Sequence, residues 1–265
     1  MAKSCGATQP GADRFSYPFE QHKNTLALVL VSGVQYLSGT VFDIARIVGA
    51  AHKHGITVGV DLAHAVGNIP LQLHDWDVDF ACWCHYKYVN AGPGAVAGAF
   101  VHERYHSDTS LPRFTGWWGQ NKSVRFHMEN AFDPIPTAEG WQCSNPPIFS
   151  LIGVRTSLEI FQQAGGMERV RDKSLRLTGY LEFLLRHHLG DHLRMLTPGD
   201  MRWRGAQVSF QLQNWKLPTA EVVDKLEKEG IFVDLRHPDV IRVAPVALYC
   251  TFVDVHRFVS KLVSA

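Results

Sequence analysis

Three short apolar runs end in residues that could do chemistry. Leu26-Ala-Leu-Val-Leu-Val31 ends at Ser32-Gly33, Thr57-Val-Gly-Val60 ends at Asp61, and Val78-Asp-Phe-Ala-Cys-Trp83 leads through Cys84-His85-Tyr86 to Lys87. Continuous apolar runs of this length suit strands buried on both faces, and in open α/β sheets ligands bind at the carboxyl ends of such strands. A carboxylate and an amine brought to that edge are the two groups that pyridoxal phosphate asks of a protein. The amine holds its aldehyde, and the acid keeps its pyridine nitrogen protonated so that the ring accepts electrons. Strand-end aspartates and exposed lysines are also common as structural residues, and spacing alone leaves both readings open.

The surrounding words narrow them. Asp61-Leu-Ala-His-Ala-Val-Gly-Asn68 and His74-Asp-Trp-Asp-Val-Asp-Phe-Ala-Cys-Trp-Cys-His-Tyr-Lys-Tyr-Val-Asn-Ala-Gly-Pro-Gly94 closely resemble the kynureninase family of fold-type-I pyridoxal phosphate hydrolases. Ser32-Gly33-Val34, Gly116-Trp117-Trp118-Gly119, Ser144-Asn145-Pro146-Pro147 and Ile241-Arg-Val-Ala-Pro245 continue the resemblance in the same order, over roughly residues 25 to 262. The resemblance implies an α/β fold: an incomplete, mostly parallel sheet of the fold-type-I large domain, plus a small C-terminal α+β domain. It implies pyridoxal phosphate as cofactor and a homodimer. The activity implied is cleavage of the Cβ–Cγ bond of kynurenine or hydroxykynurenine, giving an anthranilate and alanine, in tryptophan catabolism and NAD biosynthesis.

Residue by residue, the resemblance makes Lys87 the cofactor-bearing lysine, Asp61 the partner of the ring nitrogen and Tyr86 a donor to the cofactor phosphate. It sets His64 beside the ring and Ser32 against the cofactor. Trp117, Ser144 and Asn145 belong to the cofactor and substrate pocket, a region such dimers can lend across their interface, and Arg242 clamps the substrate carboxylate, which a planar guanidinium suits. The residues themselves leave plainer alternatives: a packed His64, a turn Ser32, a core Trp117, an Asn145 that caps the helix opened by Pro146, a surface Arg242. Cys82-Trp-Cys84-His85 invites a zinc reading. Strand alternation splits His85 from the two cysteines and no second ligand pair follows at suitable spacing, so these residues are assigned to packing and no metal is expected.

Two other functions stay open: a relative on the same fold, an aminotransferase or cysteine desulfurase, or a shortened non-catalytic product of such a gene. A desulfurase needs a reactive cysteine on a mobile loop, and none lies between residues 103 and 142. Favouring the non-catalytic reading, nothing before Ser32 resembles the family's phosphate-binding turn or its ring-stacking aromatic. Phosphates are usually cradled by backbone N–H groups at a helix N-terminus, so this chain alone is expected to hold the cofactor poorly and to expose an unpaired sheet edge.

Composition is that of an ordinary soluble globular protein, and the cysteines suit a reducing cytoplasm. The 265 residues are 46% hydrophobic and 19% charged, with 26 basic and 25 acidic side chains. No basic run suggests nucleic acid or a membrane surface. The five cysteines are scattered, the first residues carry no apolar signal core, and Leu26 to Val31 falls far short of the about 20 residues that span a bilayer.

The elements that must position these residues follow from periodicity. Residues 1–24 show none and are expected to be loose. Thr40-Val-Phe-Asp43 reads as a capping box, opening a helix with Val41, Ile44, Ile47, Val48 and Ala51 on one face and Gly55 as its stop. Ala95 to Val101 re-enters the sheet, and residues 103–145 form a long aromatic loop of the kind that is functional or disordered. Residues 25–165 form the partial large domain. Pro146-Pro147 opens a helix to Ala164, and an amphipathic helix over residues 166–190 links to a small domain at 191–265. That domain reads strand 206–212, helix 219–230, strands 231–235 and 241–246, and helix 252–263.

Overall fold

The structure is a computed structural model and describes residues 19–265; most of the stretch expected to be loose lies outside the described residues, and residues 19–22 form a helical turn. The first sheet has the order β1 (Leu28–Ser32), β2 (Thr57–Asp61), β3 (Phe80–Trp83), β4 (Gly98–Val101). β1, β2 and β3 are parallel and β4 runs antiparallel to β3. Register fixes the chemistry-bearing edge: Ser32 lies opposite Asp61, and Asp61 opposite Cys82. The ladder runs on past the strands, with Gly33 N–H donating to the Asp61 carbonyl and Leu62 N–H to that of Cys82, each at 2.8 Å.

β1 and β2 are joined over the sheet by α1 (Ile44–His52), which buries Ile44, Ile47, Val48 and Ala51. The helix starts later than the expected capping box. Val41 bridges back to Val34 and its N–H donates to the Trp203 carbonyl, which keeps residues 40 and 41 extended, so Asp43 becomes the cap by accepting from Arg46 N–H at 3.1 Å. β1 lies at the edge of the sheet with Leu28 and Leu30 exposed, while Val29 and Val31 join the core.

After the loop, α2 (Ile148–Gln163) begins at Pro147 with no side-chain cap, so Asn145 does not fill that role. α3 (Gly166–Leu189) buries Leu177, Leu181, Leu184 and Leu185 in the core of the second sheet, against Val208, Phe210, Ile241 and Leu262. That sheet has the order β5 (Leu193–Met195), β6 (Val208–Leu212), β8 (Val240–Val243), β7 (Asp234–Arg236) and is antiparallel throughout. α4 (Thr219–Lys228) and α5 (Phe252–Ser264) complete it. β5 is too short to leave a periodic signal. β7 begins three residues after the expected Ile231, because Ile231 and Val233 pack against the core from outside the ladder.

At the opposite end of the first sheet one carboxylate ties four segments together. Asp79, 3% exposed, accepts from Val58 N–H (2.6 Å), Tyr105 O–H (2.6 Å) and His52 Nε2 (2.8 Å), and Arg104 Nη2 lies at 3.3 Å. Burial alone would raise its pKa, but the bonds from Tyr105, Val58 and His52 outweigh it and hold the carboxyl below its ordinary 3.8. The stability from this knot is therefore fully present above pH 3.8 and lost as pH falls through the lower folded value. Asp79→Asn is expected to cost about 3 kcal/mol, the scale for breaking a buried charged cluster, and to flatten the acid limb of a stability curve against pH; an unchanged melting temperature contradicts this role.

Candidate active site

The sheet register sets Ser32 and Asp61 side by side, and the turn after β2 folds back toward β3. Ala65 and Val66 N–H groups donate to the Leu62 carbonyl, making a turn that carries His64. Gly67 lets this turn touch the Lys87 segment: its φ is +77°, and a Cβ there would lie 2.8 Å from the backbone of Tyr88. Lys87 sits five residues past Cys82 in a turn closed by Asn90 N–H to the Lys87 carbonyl at 2.9 Å, with Asn90 at a φ of 59°. α2 holds this turn from below through Ser157 Oγ, which donates to the Val89 carbonyl.

The resulting group is charged and only partly satisfied. Asp61 is exposed, and one of its carboxylate oxygens accepts from Ala63 N–H at 2.8 Å. Lys87 is half-buried, with Nζ 5.6 Å from the centre of the exposed Tyr86 ring. Neither Asp61 nor Lys87 makes an ion pair within 4 Å among the described residues. His64 packs edge-on against Tyr88 at 5.9 Å, and its Nδ1 is buried without a partner among the described residues. Burial lowers the His64 pKa most, the nearby charges of Lys87 and Arg242 lower it further, Asp61 opposes them, and Arg236 adds a little; the result is about 4. His64 is thus a neutral imidazole at neutral pH. Burial likewise pushes the Tyr88 phenol up to about 12, despite the nearby Arg242.

Arg242 arrives from the second sheet and is no surface residue, being 16% exposed. Its Nη1 donates to the Tyr36 carbonyl at 2.9 Å and its Nη2 pairs with Asp234. Ser32, Asp61, His64, Lys87 and Arg242 therefore share one edge, with Tyr86 on its rim. The other three expected residues are elsewhere. Trp117 is 47% exposed and packs on Trp118, with the Arg125 guanidinium over both rings. Ser144 and Asn145 are exposed and bond to each other at 3.3 Å. No hydrogen bond joins these three to the Lys87 cluster among the described residues.

The site also contains residues that sequence reading passed over. Tyr88 stands in Tyr86-Lys87-Tyr88 and could have been found from that word. Asn68 is buried, donates to the His64 carbonyl and accepts from Ala206 N–H, both at 2.8 Å; no local pattern shows it. In the cysteine run the histidine is tied to its neighbours. His85 accepts from the Trp83 indole at 2.8 Å and donates to the Val96 carbonyl at 2.5 Å, so both ring nitrogens are used.

The fold is that of the fold-type-I pyridoxal phosphate-dependent enzymes. The chain resembles the cystine C–S lyase C-DES, solved with cysteine persulfide, with a TM-score of 0.78 and 20% identity over 96% of this chain and 66% of that one. An alanine–glyoxylate aminotransferase from Nostoc sp. gives a TM-score of 0.71 and 16% identity over 97% of this chain and 66% of that one.

Within that class the chain is similar to kynureninases along most of its length. The family's C-terminal domain profile matches residues 170–262. The chain is 48% identical to the kynureninase of Nematostella vectensis, covering 93% of this chain and 54% of the relative, and 51% identical to that of Stenotrophomonas maltophilia, covering 91% and 57%. It thus spans just over half the length of these relatives.

Because the folded pKa of His64 lies below its ordinary 6.5, unfolded chains take up this proton first, and the contribution of His64 to stability falls as pH drops from 6.5 toward 4. In an NMR titration the His64 ring should stay neutral at pH 7 and protonate near pH 4, and Lys87→Ala should move that midpoint upward. A His64 midpoint near 6.5 would show that the ring is neither buried nor faced by the cations.

Proposed function

We propose that this chain carries the lysine-bearing half of a kynureninase site. Its reaction would be hydrolysis of the Cβ–Cγ bond of kynurenine or hydroxykynurenine to an anthranilate and alanine, within tryptophan catabolism and NAD biosynthesis. The observation that carries this reading is the meeting of Lys87, Asp61, His64 and Arg242 at one sheet edge in a chain about half identical to kynureninases. The residues fit the ring and aldehyde ends of pyridoxal phosphate. Among the described residues Lys87 is without an ion pair, Asp61 keeps a carboxylate oxygen with no donor, and the nearby His64 Nδ1 is buried without a partner. The phosphate end is not matched in the same way: before β1 the described residues offer a helical turn over 19–22 and no glycine-rich turn.

When bound, the cofactor would supply an electron-accepting ring. The protein supplies the rest. Lys87 would hold the aldehyde carbon, give it up to the substrate amine and then take the proton from Cα as a general base. Asp61 would hold the proton of the ring nitrogen. Neutral His64 adds no positive charge beside Lys87, and its stiff contact with Tyr88 sets one wall of the site. Ser32 would flank the cofactor, Tyr86 would donate to its phosphate, and Arg242 would take the substrate carboxylate. Lys87, Arg242 and Arg236 against Asp61 and Asp234 leave one net positive charge, which favours an anionic ligand.

Trp117, Ser144 and Asn145 enter this reading through a second copy of the chain. Phe114, Phe126, Met128 and Phe149 in the same region are each about four-fifths exposed or more, an apolar surface of the kind that marks association. A homodimer that lends these residues across its interface accounts for both observations. The division into a partial large domain at 25–165, helix 166–190 and small domain 191–265 belongs to the same reading. So does a cytoplasmic location; among the described residues no helix is long and apolar enough to cross a membrane.

With pyridoxal phosphate added, borohydride reduction should attach the cofactor to Lys87, and Lys87→Ala should lose both the label and turnover. Label remaining on another lysine would sink the assignment. Arg242→Lys should raise KM on the order of tenfold to a hundredfold, since an ammonium replaces a two-pronged donor worth roughly 1.5 to 3 kcal/mol; an unchanged KM would take Arg242 out of the site.

A further inference from the structure

We propose that Asp234 is a positioning residue that presents Arg242 as a two-pronged carboxylate receptor, an inference that rests on the reading of Arg242 given above. Asp234 lies opposite Arg242 in the antiparallel pair of β7 and β8. Its Oδ2 pairs with Arg242 Nη2, while Arg242 Nη1 donates to the Tyr36 carbonyl at 2.9 Å. A terminal guanidinium nitrogen carries two N–H groups. One on each is tied, that of Nη2 to the neighbouring strand β7 and that of Nη1 to the turn after β1, and one on each is left. A bidentate carboxylate needs one N–H from each of two guanidinium nitrogens, and that number is left.

Both anchors are themselves held. Asp234 Oδ2 also accepts from Arg236 Nε at 3.0 Å and lies 2.8 Å from Arg236 Nη2. Arg236 is two residues along the same strand, hence on the same face. The Tyr36 carbonyl also accepts from the buried Gln207 side chain at 3.1 Å, and Gln207 donates to the next carbonyl, Leu37, at 2.8 Å. An arginine on a flexible stem loses rotamer freedom when it binds; here that freedom is lost on folding, before any ligand arrives. Arg236 and Asp234 cancel in charge, which leaves the Arg242 cation for the ligand.

The test compares two probes on the 265-residue chain by ligand-observed NMR: benzoylpropanoate, which has an aryl ketone and a carboxylate but no amine to react, and its neutral amide. The readout is the preference for the carboxylate over the amide, which a general loosening of the fold would not move. Asp234→Ala should lower that preference about tenfold, the scale of one charge-assisted bond together with one immobilised side chain. Asp234→Asn keeps an oxygen for Arg242 Nη2 and should restore most of it. Circular dichroism checks that both variants fold; should the alanine chain not fold, Asp234→Ser, which takes the carboxylate away from Arg242 Nη2, replaces it with the same expected loss and the same overturning result. An unchanged preference in Asp234→Ala overturns the proposal, and so does a preference above that of the native chain in either variant, because Asp234 would then only compete for the guanidinium. If Arg242→Ala leaves the preference intact, the carboxylate does not meet Arg242 and the underlying reading fails. If Arg242→Ala abolishes the preference while Asp234→Ala leaves it unchanged, only the role of Asp234 is lost.

Discussion

The site depends on a seam of buried amides between the two sheets. Asn68 joins the turn that carries His64 to the backbone of Ala206, and Gln207 reaches across to the carbonyls of Tyr36 and Leu37 in the turn after Ser32. Thr197 Oγ1 adds a bond to the Ser38 carbonyl at 2.6 Å. Buried amides left without partners cost about 1 to 3 kcal/mol each, so the two sheets lose heavily by sliding or parting. Gly205 shows how close the approach is: a Cβ there would lie 2.3 Å from the Asn68 side chain. Without this seam Arg242 would belong to one body and Lys87 to another.

The seam also sets the electrostatics. It buries His64 and brings two guanidiniums toward an edge that already carries a lysine; burial first, and then those charges, leave the ring without its proton. A neutral histidine among cations is a stable arrangement, because a further positive charge in a half-buried place would be repelled by its neighbours and poorly solvated. Asp61 and Asp234 divide the remaining balance, one from each sheet. The opposite end of the first sheet is organised by a single carboxylate, Asp79, that is saturated with donors. One end of the sheet is thus closed and satisfied, and the other is left with unpaired groups that a ligand can complete.

Much of the edge was legible in the chain. Ser32, Asp61 and Lys87 stand where buried runs end, and parallel strands of similar length bring their ends into line. The helices were legible from spacing, since α1, α3 and α5 each bury a regular apolar stripe. The start of α1 was misread because Thr40 and Val41 look like a cap yet are held extended by contacts with Val34 and Trp203, the latter far along the chain. Trp117, Ser144 and Asn145 were legible as words but not as places. They lie on a loop that is tied through Arg104 and Tyr105 to Asp79, at the other end of the sheet, and among the described residues no hydrogen bond joins them to the Lys87 cluster.

By itself the sequence determined the order of the helices and of the strands other than β5, the parallel pairing of β1 to β3 and the end of the sheet at which reactive groups gather. These follow from local periodicity and from the handedness and shortness of crossover connections. Only the tertiary structure decided which guanidinium faces that end, that His64 is neutral there, and that Asp234, Asn68 and the Tyr36 carbonyl set the geometry. The reason is physical: strand ends are fixed by neighbours a few residues or one crossover away, whereas the contacts of Arg242 join positions 206 residues apart. A charge in the interior takes its state from whatever packing brings near it, and that is written in no single stretch of chain.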